Sequence, residues 1–192
     1  MPRPATFNAD DVLERAMLTF WTYGYAGTSI ADLVERTELL RGSIYHTFGD
    51  KRSLYIQTLE RYGHMALQQA AAFWNEAEPS LNAFRAFLMV VVDLPEAEKR
   101  RGSMICNCII EVVPHDPEIA KVVEGMLNEF KRVLEEVLER ARQAGELHAH
   151  ANTTALARYL VSSIQGLCVT AKAGAPREEL LDIVEVTLSA LQ

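Results

Sequence analysis

This 192-residue chain predicts an all-α fold on three observations. Apolar residues recur at helical spacing in segment after segment, no stretch alternates as a strand does, and prolines, glycines and polar caps punctuate the segments. About nine helices result, divided between an N-terminal unit over residues 1–50 and a larger helical body over residues 51–192.

The first helix runs from Ala9 to Tyr23 with Leu13, Ala16, Met17 and Phe20 as its apolar stripe. Asn8 caps its start, Phe7 and Val12 form a hydrophobic staple, and Gly24 stands where a left-handed residue ends it. The second helix carries Ile30, Leu33 and Val34 behind a Ser29–Asp32 capping box. A third, about two turns long, gathers Ile44 and Phe48 on one face and leaves Arg41, Ser43, Tyr45, His46 and Thr47 on the others. So short a helix must be held by its neighbours. Three helices sharing a small core, the last with its polar face outward, are what a helix-turn-helix DNA reader requires.

Asp50 caps a long fourth helix to about Glu76, roughly 40 Å at 1.5 Å per residue. Pro79 sits in the first turn of a fifth helix that ends before Pro95. The charged loop EAEKRRG then leads into a short sixth, GSMICNCIIEVV, stopped by Pro114. Asp116 caps and Pro117 opens a seventh that reaches Ala144 before Gly145. Asn152 caps an eighth reaching about Ala173, and Pro176 opens a ninth that continues almost to the end.

The N-terminal residues resemble the DNA-binding domain of the TetR family of bacterial transcriptional regulators. The likeness is carried by FWTYG at Phe20–Gly24, by Tyr25, Thr28, Ser29 and Ile30, and by RGSIYHTFGDKRSL from Arg41 to Leu54. It is close over about fifty residues, and the rest of the chain matches in layout. The resemblance implies that Thr28 and Ser29 touch phosphate, that Arg41, Ser43, Tyr45 and His46 enter or flank the major groove, and that Lys51 binds phosphate. Gly42 would let the backbone approach DNA closely. Tyr45 and His46 also have a plainer reading, as ordinary half-buried surface residues. Two positions depart from the family pattern: Glu38 or Leu39 stands where members commonly have a turn glycine, and Leu40 where they have a capping serine. Losing a polar cap costs about 1 kcal/mol.

Charge narrows the DNA-binding surface. The whole chain carries formal charge -7, and residues 1–55 hold six Lys or Arg against seven Asp or Glu. The basic footprint is therefore local: Arg41, Lys51 and Arg52, with Arg3 in an N-terminal arm. No run of 18 apolar residues and no signal-peptide core occur, so a cytoplasmic protein without a membrane partner is expected. Cys106, Cys108 and Cys168 suit neither a disulfide scaffold nor a zinc site, and the pair His148 and His150 has poor geometry for a metal. No metal or cofactor is expected. The chain lacks a phosphate loop, a nucleophile elbow, HExxH and a catalytic acidic cluster, so no catalytic residue is assigned. A helical enzyme without DNA and a DNA-binding architectural protein without a ligand are the rival classes.

The last two helices carry more apolar surface than one face holds. Leu180, Leu181, Ile183, Val184, Val186, Leu188 and Leu191 fill over half the ninth, and the eighth offers Leu156, Tyr159, Leu160, Ile164 and Leu167. A helix apolar on two sides is buried on two sides. Ser162 and Gly166 would admit a close neighbour, and in the family this pair forms a four-helix dimer interface. A homodimer through these helices is expected, against burial within one chain. Two readers about one duplex turn apart then read a palindromic operator.

A small-molecule effector would bind among helices four to eight. The expected lining is Phe84, Phe87, Leu88 and Val91, with Cys106 and Asn107, Met126 and Phe130, and Gln165; each also suits plain core. His64, Met65 and Trp74 share that ambiguity. Asn107 and Glu111 form a polar stripe that faces either water or a cavity. Cys106 and Cys108, two apart on a helix, cannot readily close a disulfide. One of them is expected to face the core, and the other is either inert as well or a thiol that senses electrophiles or oxidants, as in some relatives. The relatives' cysteine follows the glycine directly, where this chain has Ser103. The function expected is a ligand-responsive regulator, a repressor released from its operator by an effector.

Overall fold

The computed structural model describes residues 7–192, so Arg3 lies outside the described residues. The N-terminal unit comprises α1 (Ala9–Tyr23), α2 (Ile30–Thr37) and α3 (Arg41–Phe48). The body follows as α4 (Lys51–Glu76), α5 (Leu81–Val92), α6 (Glu96–Arg101), α7 (Met104–Glu111), α8 (Pro117–Gln143), α9 (Thr153–Lys172) and α10 (Arg177–Ser189). A 3-10 turn covers Val113–His115, and no strand occurs among the described residues.

The helix ends follow the polar residues. The Asn8 side chain accepts from the Asp10 amide, Asp50 from Ser53, Ser103 from Cys106, Asp116 from Glu118 and Ile119, and Asn152 from Ala155. Two boundaries differ from expectation. Ser80, not Pro79, caps α5, because its hydroxyl reaches the Ala83 amide. The charged segment after Pro95 forms α6, with Glu96 and Glu98 in the first turn and Lys99, Arg100 and Arg101 in the last, an arrangement that complements the helix dipole.

The long α4 joins reader to body. Val12, Phe20, Leu33, Ile44 and Phe48 from the three N-terminal helices pack with Leu54 and Tyr55 of α4, and the same core continues into Met104, Cys108, Val112, Ile119 and Val123. The reader is therefore not sealed off from the body: apolar side chains of α7 and α8 complete its core. A second core gathers Trp74, Phe84, Leu134, Leu138 and Leu160, and a third gathers Leu88, Val92, Leu167, Leu180 and Val184. Leu180 and Val184 are fully buried, whereas Tyr159, Val169 and Val186 are exposed. Ser162 and Gly166 are also exposed, and nothing lies within 4 Å of where a Gly166 Cβ would stand. The α9–α10 pair thus has an inner apolar side covered by its own chain and an outer one left open.

Candidate nucleic-acid interface and cavity

The reader's surface is set by what its core withdraws. Ile44 and Phe48 are buried, so Arg41, Gly42, Tyr45, His46 and Thr47 face outward and Ser43 stands half-buried beside them. The Arg41 guanidinium lies over the Tyr45 ring at 5.5 Å. A side chain at Gly42 would meet no atom of this chain, so packing does not demand glycine there. Leu40, at the start of α3, has the extended backbone of a cap but supplies no side-chain hydrogen bond, and it is 77% exposed. Glu38 takes the left-handed turn position, φ 60°.

Thr28 does not present a hydroxyl to phosphate. It is fully buried, and its Oγ1 donates to the Gly24 carbonyl at 2.7 Å. Ser29 is exposed, but its hydroxyl donates to Asp32 and accepts from the Asp32 amide, and the Ser29 amide donates to the same carboxylate. These bonds hold the Asp32 carboxyl below its usual range. A phosphate at this helix start competes with an anion already seated. Lys51 is half-buried with its ammonium 4.4 Å from the Tyr25 ring centre. Burial lowers its pKa, and the charges of Glu111 and Asp32 oppose that effect.

Behind the reader lies a joint formed by α7 and the start of α8. Glu111 faces neither bulk water alone nor a cavity: its carboxylate accepts from the backbone amides of Tyr25 at 3.0 Å and Ala26 at 2.7 Å. It sits so close to the turn that a Cβ on Gly24 would come within 2.8 Å of it, and Gly24 also has φ 77°. In the turn that leads from α6 into α7, the Trp21 indole N–H donates to the Gly102 carbonyl at 2.7 Å, while Arg101 at the end of α6 covers the Trp21 ring. Arg52 grips Asp116 with two bonds, 2.6 and 2.8 Å, and reaches Glu118 at 2.7 Å. Its guanidinium holds the Asp116 carboxyl well below the usual carboxylate range. The sequence flagged Glu111 and Asp116 as a polar stripe and a helix cap; their partners lie 86 and 64 positions away, beyond any local pattern.

A cavity of about 530 Å³ opens between α4, α5, α7, α8 and α9. Phe87, Leu88, Val91, Cys106, Met126, Phe130 and Gln165 line it, as do Tyr62, Phe73, Ile105 and Cys168. Two expected wall residues lie elsewhere. Phe84 is buried against Trp74, with ring centres 4.8 Å apart. The Asn107 amide donates to the Arg101 carbonyl, and its oxygen accepts from Lys172. Of the other helix-four candidates, Trp74 is plain core and His64 is exposed. Burial raises the pKa of all three thiols, that of Cys168 to about 12. His148 and His150 are exposed. Among the described residues no cluster of three metal-ligating side chains occurs, and no helix is long and apolar enough to cross a membrane.

This architecture has known counterparts. Residues 12–58 match the model for bacterial regulatory proteins of the tetR family, and residues 80–182 match the tetracyclin repressor-like C-terminal domain. The chain is 36% identical to the uncharacterized HTH-type transcriptional regulator YezE of Bacillus subtilis, covering 100% of both. It is 30% identical to the HTH-type transcriptional repressor ComR of Escherichia coli, covering 97% of this chain and 90% of the relative. Among solved structures it is similar to a cysteine mutant of the TetR family transcriptional regulator CifR complexed with 26-bp double-strand operator DNA. That likeness has a TM-score of 0.83 at 30% identity and covers 100% of each chain.

Proposed function

The chain belongs to the TetR family of bacterial regulatory proteins and is a DNA-binding transcriptional regulator, and on that premise we propose that it is a homodimeric repressor released from a palindromic operator by a small molecule in the cavity. One observation carries the proposal: α7 is wall and joint at once. Ile105 and Cys106 line the cavity, while Glu111 at the C-terminal end of that helix holds the Tyr25–Ala26 backbone of the reader and Gly102, in the turn between α6 and α7, holds Trp21. A ligand that displaces α7 therefore moves the reader with it. A shift of about 2 to 4 kcal/mol between the two states changes affinity by roughly thirty- to a thousandfold.

Residues 1–50 serve as the reader and 51–192 as the sensing and dimerising body. The open outer side of α9 and α10, with Tyr159, Val169, Val186 and the small pair Ser162 and Gly166, suits a second copy of the chain. A dimer places two α3 helices about one duplex turn apart. A monomer by light scattering at micromolar concentration would contradict this assembly. Non-covalent sensing is favoured over a cysteine-based sensor, because burial keeps Cys106 and Cys168 protonated and so poorly nucleophilic.

The direct test is a mobility shift with the DNA upstream of the protein's own gene. Lys51→Ala should weaken operator and nonspecific binding alike and reduce the salt slope by about one unit for each protomer, about two for the dimer, whereas Tyr45→Ala should weaken the specific site more. If neither change affects operator binding, α3 is not the recognition helix.

A further inference from the structure

We infer that the cavity takes an uncharged, largely apolar molecule carrying a hydrogen-bond acceptor, which the carboxamide of Gln165 reads. The inference rests on the cavity being the effector site. Its first support is the absence of charge: no Asp, Glu, Lys, Arg or His lies among the lining residues. A charged ligand would leave water and find no counter-ion. The titratable groups on the wall supply none, since burial keeps the thiols of Cys106 and Cys168 and the phenol of Tyr62 in their neutral forms.

The second support is an unmet donor. Gln165 Nε2 is sealed from solvent and has no hydrogen-bond partner. Two other polar groups of the wall are already engaged: the Ser103 hydroxyl accepts from the Cys106 amide, and the Tyr62 phenol is hydrogen-bonded with Ser103. Gln69, also on the wall, is exposed at the rim and has water available. The Gln165 amide turns about a soft terminal torsion and can present its N–H groups to a carbonyl or ether oxygen in the cavity. Buried donors are nearly always paired, so one left open on the wall of a cavity is a place for a ligand atom.

Shape completes the description. Phe73 and Phe87 lie 5.3 Å apart and Phe87 and Phe130 6.5 Å apart, tilted against one another, so the wall offers aromatic faces to a flat ring. A volume of about 530 Å³ falls within the usual range of small-molecule sites.

Three probes of nearly one shape test this by calorimetry on the full chain: 2-acetylnaphthalene, 2-ethylnaphthalene and 2-naphthoate. The ketone should bind about tenfold more tightly than the hydrocarbon. The carboxylate should bind at least about a hundredfold more weakly than the ketone. Gln165→Leu should remove the ketone's advantage without weakening the hydrocarbon. Naphthoate binding as tightly as the ketone, no binding by either neutral probe, or a ketone preference that survives Gln165→Leu would each overturn the inference. The wild-type ranking decides the question of charge even if the variant fails to fold. A parallel operator mobility shift separates the two readings. Ketone binding with the expected ranking but no operator release supports the ligand class and removes the switch; release by naphthoate alone does the reverse.

Discussion

Replacing Glu111 with Ala removes the carboxylate that holds the reader's first turn. Two backbone amides donate to it, at 3.0 and 2.7 Å, and hydrogen bonds to a charged group contribute about 1.5 to 3 kcal/mol each. The carboxylate is half-exposed and its single charge is shared between the bonds, which brings the pair to about 2 kcal/mol. If the docked reader is the form that binds the operator, that loss weakens binding by at most about thirtyfold for each half-site and about a thousandfold for a dimer that carries it in both readers. Gly24→Ala supplies a sharper measure. It introduces backbone strain of about 1 to 3 kcal/mol at φ 77° and ψ 173°, and it brings a Cβ within 2.8 Å of the Glu111 oxygen. The strain persists in the double variant while the collision disappears. Gly24→Ala should therefore cost about 1 kcal/mol less in the Glu111→Ala background than in the wild type. Chemical denaturation followed by circular dichroism and operator titration by fluorescence anisotropy measure both quantities. An additive cycle, or a Glu111→Ala protein with unchanged stability and operator affinity, would refute the joint.

The uncapped α3 predicts a gain. Leu40 is exposed and its backbone is already extended, so Leu40→Ser should add about 1 kcal/mol and raise Tm by roughly 2 to 4 °C; an unchanged or lower Tm counts against it. The Asp116 carboxyl, depressed in the folded state by Arg52, predicts a pH dependence. Its contribution is present above the unfolded carboxylate pKa of about 3.9 and is lost as pH falls from there toward the lower folded value. Urea midpoints should therefore decline less steeply below about pH 4 in Asp116→Asn than in the wild type, and coincident slopes would exclude the pair as a source of stability. Burial pushes the Cys168 thiol up to about 12, so it stays protonated at pH 8. Native protein should label slowly at Cys106 and Cys168 with a thiol reagent and rapidly after guanidinium unfolding; fast native labelling at either would restore the cysteine-sensor reading.

The helical plan was legible because it is written in local terms. Asn8, Ser29, Asp50, Asp116 and Asn152 each cap the helix their position announces, since a cap bonds amides two or three residues away. The outward face of α3 follows equally from Ile44 and Phe48, whose spacing alone turns Tyr45 and His46 away from the core. The phosphate contact that the resemblance implied for Thr28 failed because the turn after α1 folds back and buries its hydroxyl on the Gly24 carbonyl, and local reasoning missed α6, whose charges complement the helix dipole where a loop was expected.

What sequence by itself determined, then, is the identity of the machine: an all-α chain with a helix-turn-helix reader and a helical body. Tertiary structure decided how the parts communicate. Phe84 and Asn107 left the expected cavity, one for the Trp74 core and the other to bind the Arg101 carbonyl and Lys172, while Cys168 and Tyr62 entered it. Glu111 found its partners 86 and 85 positions away along the chain. The physical reason is range. Periodicity and capping act within a few residues, whereas a cavity wall or a carboxylate seated on a distant backbone turn depends on packing that no stretch of sequence contains.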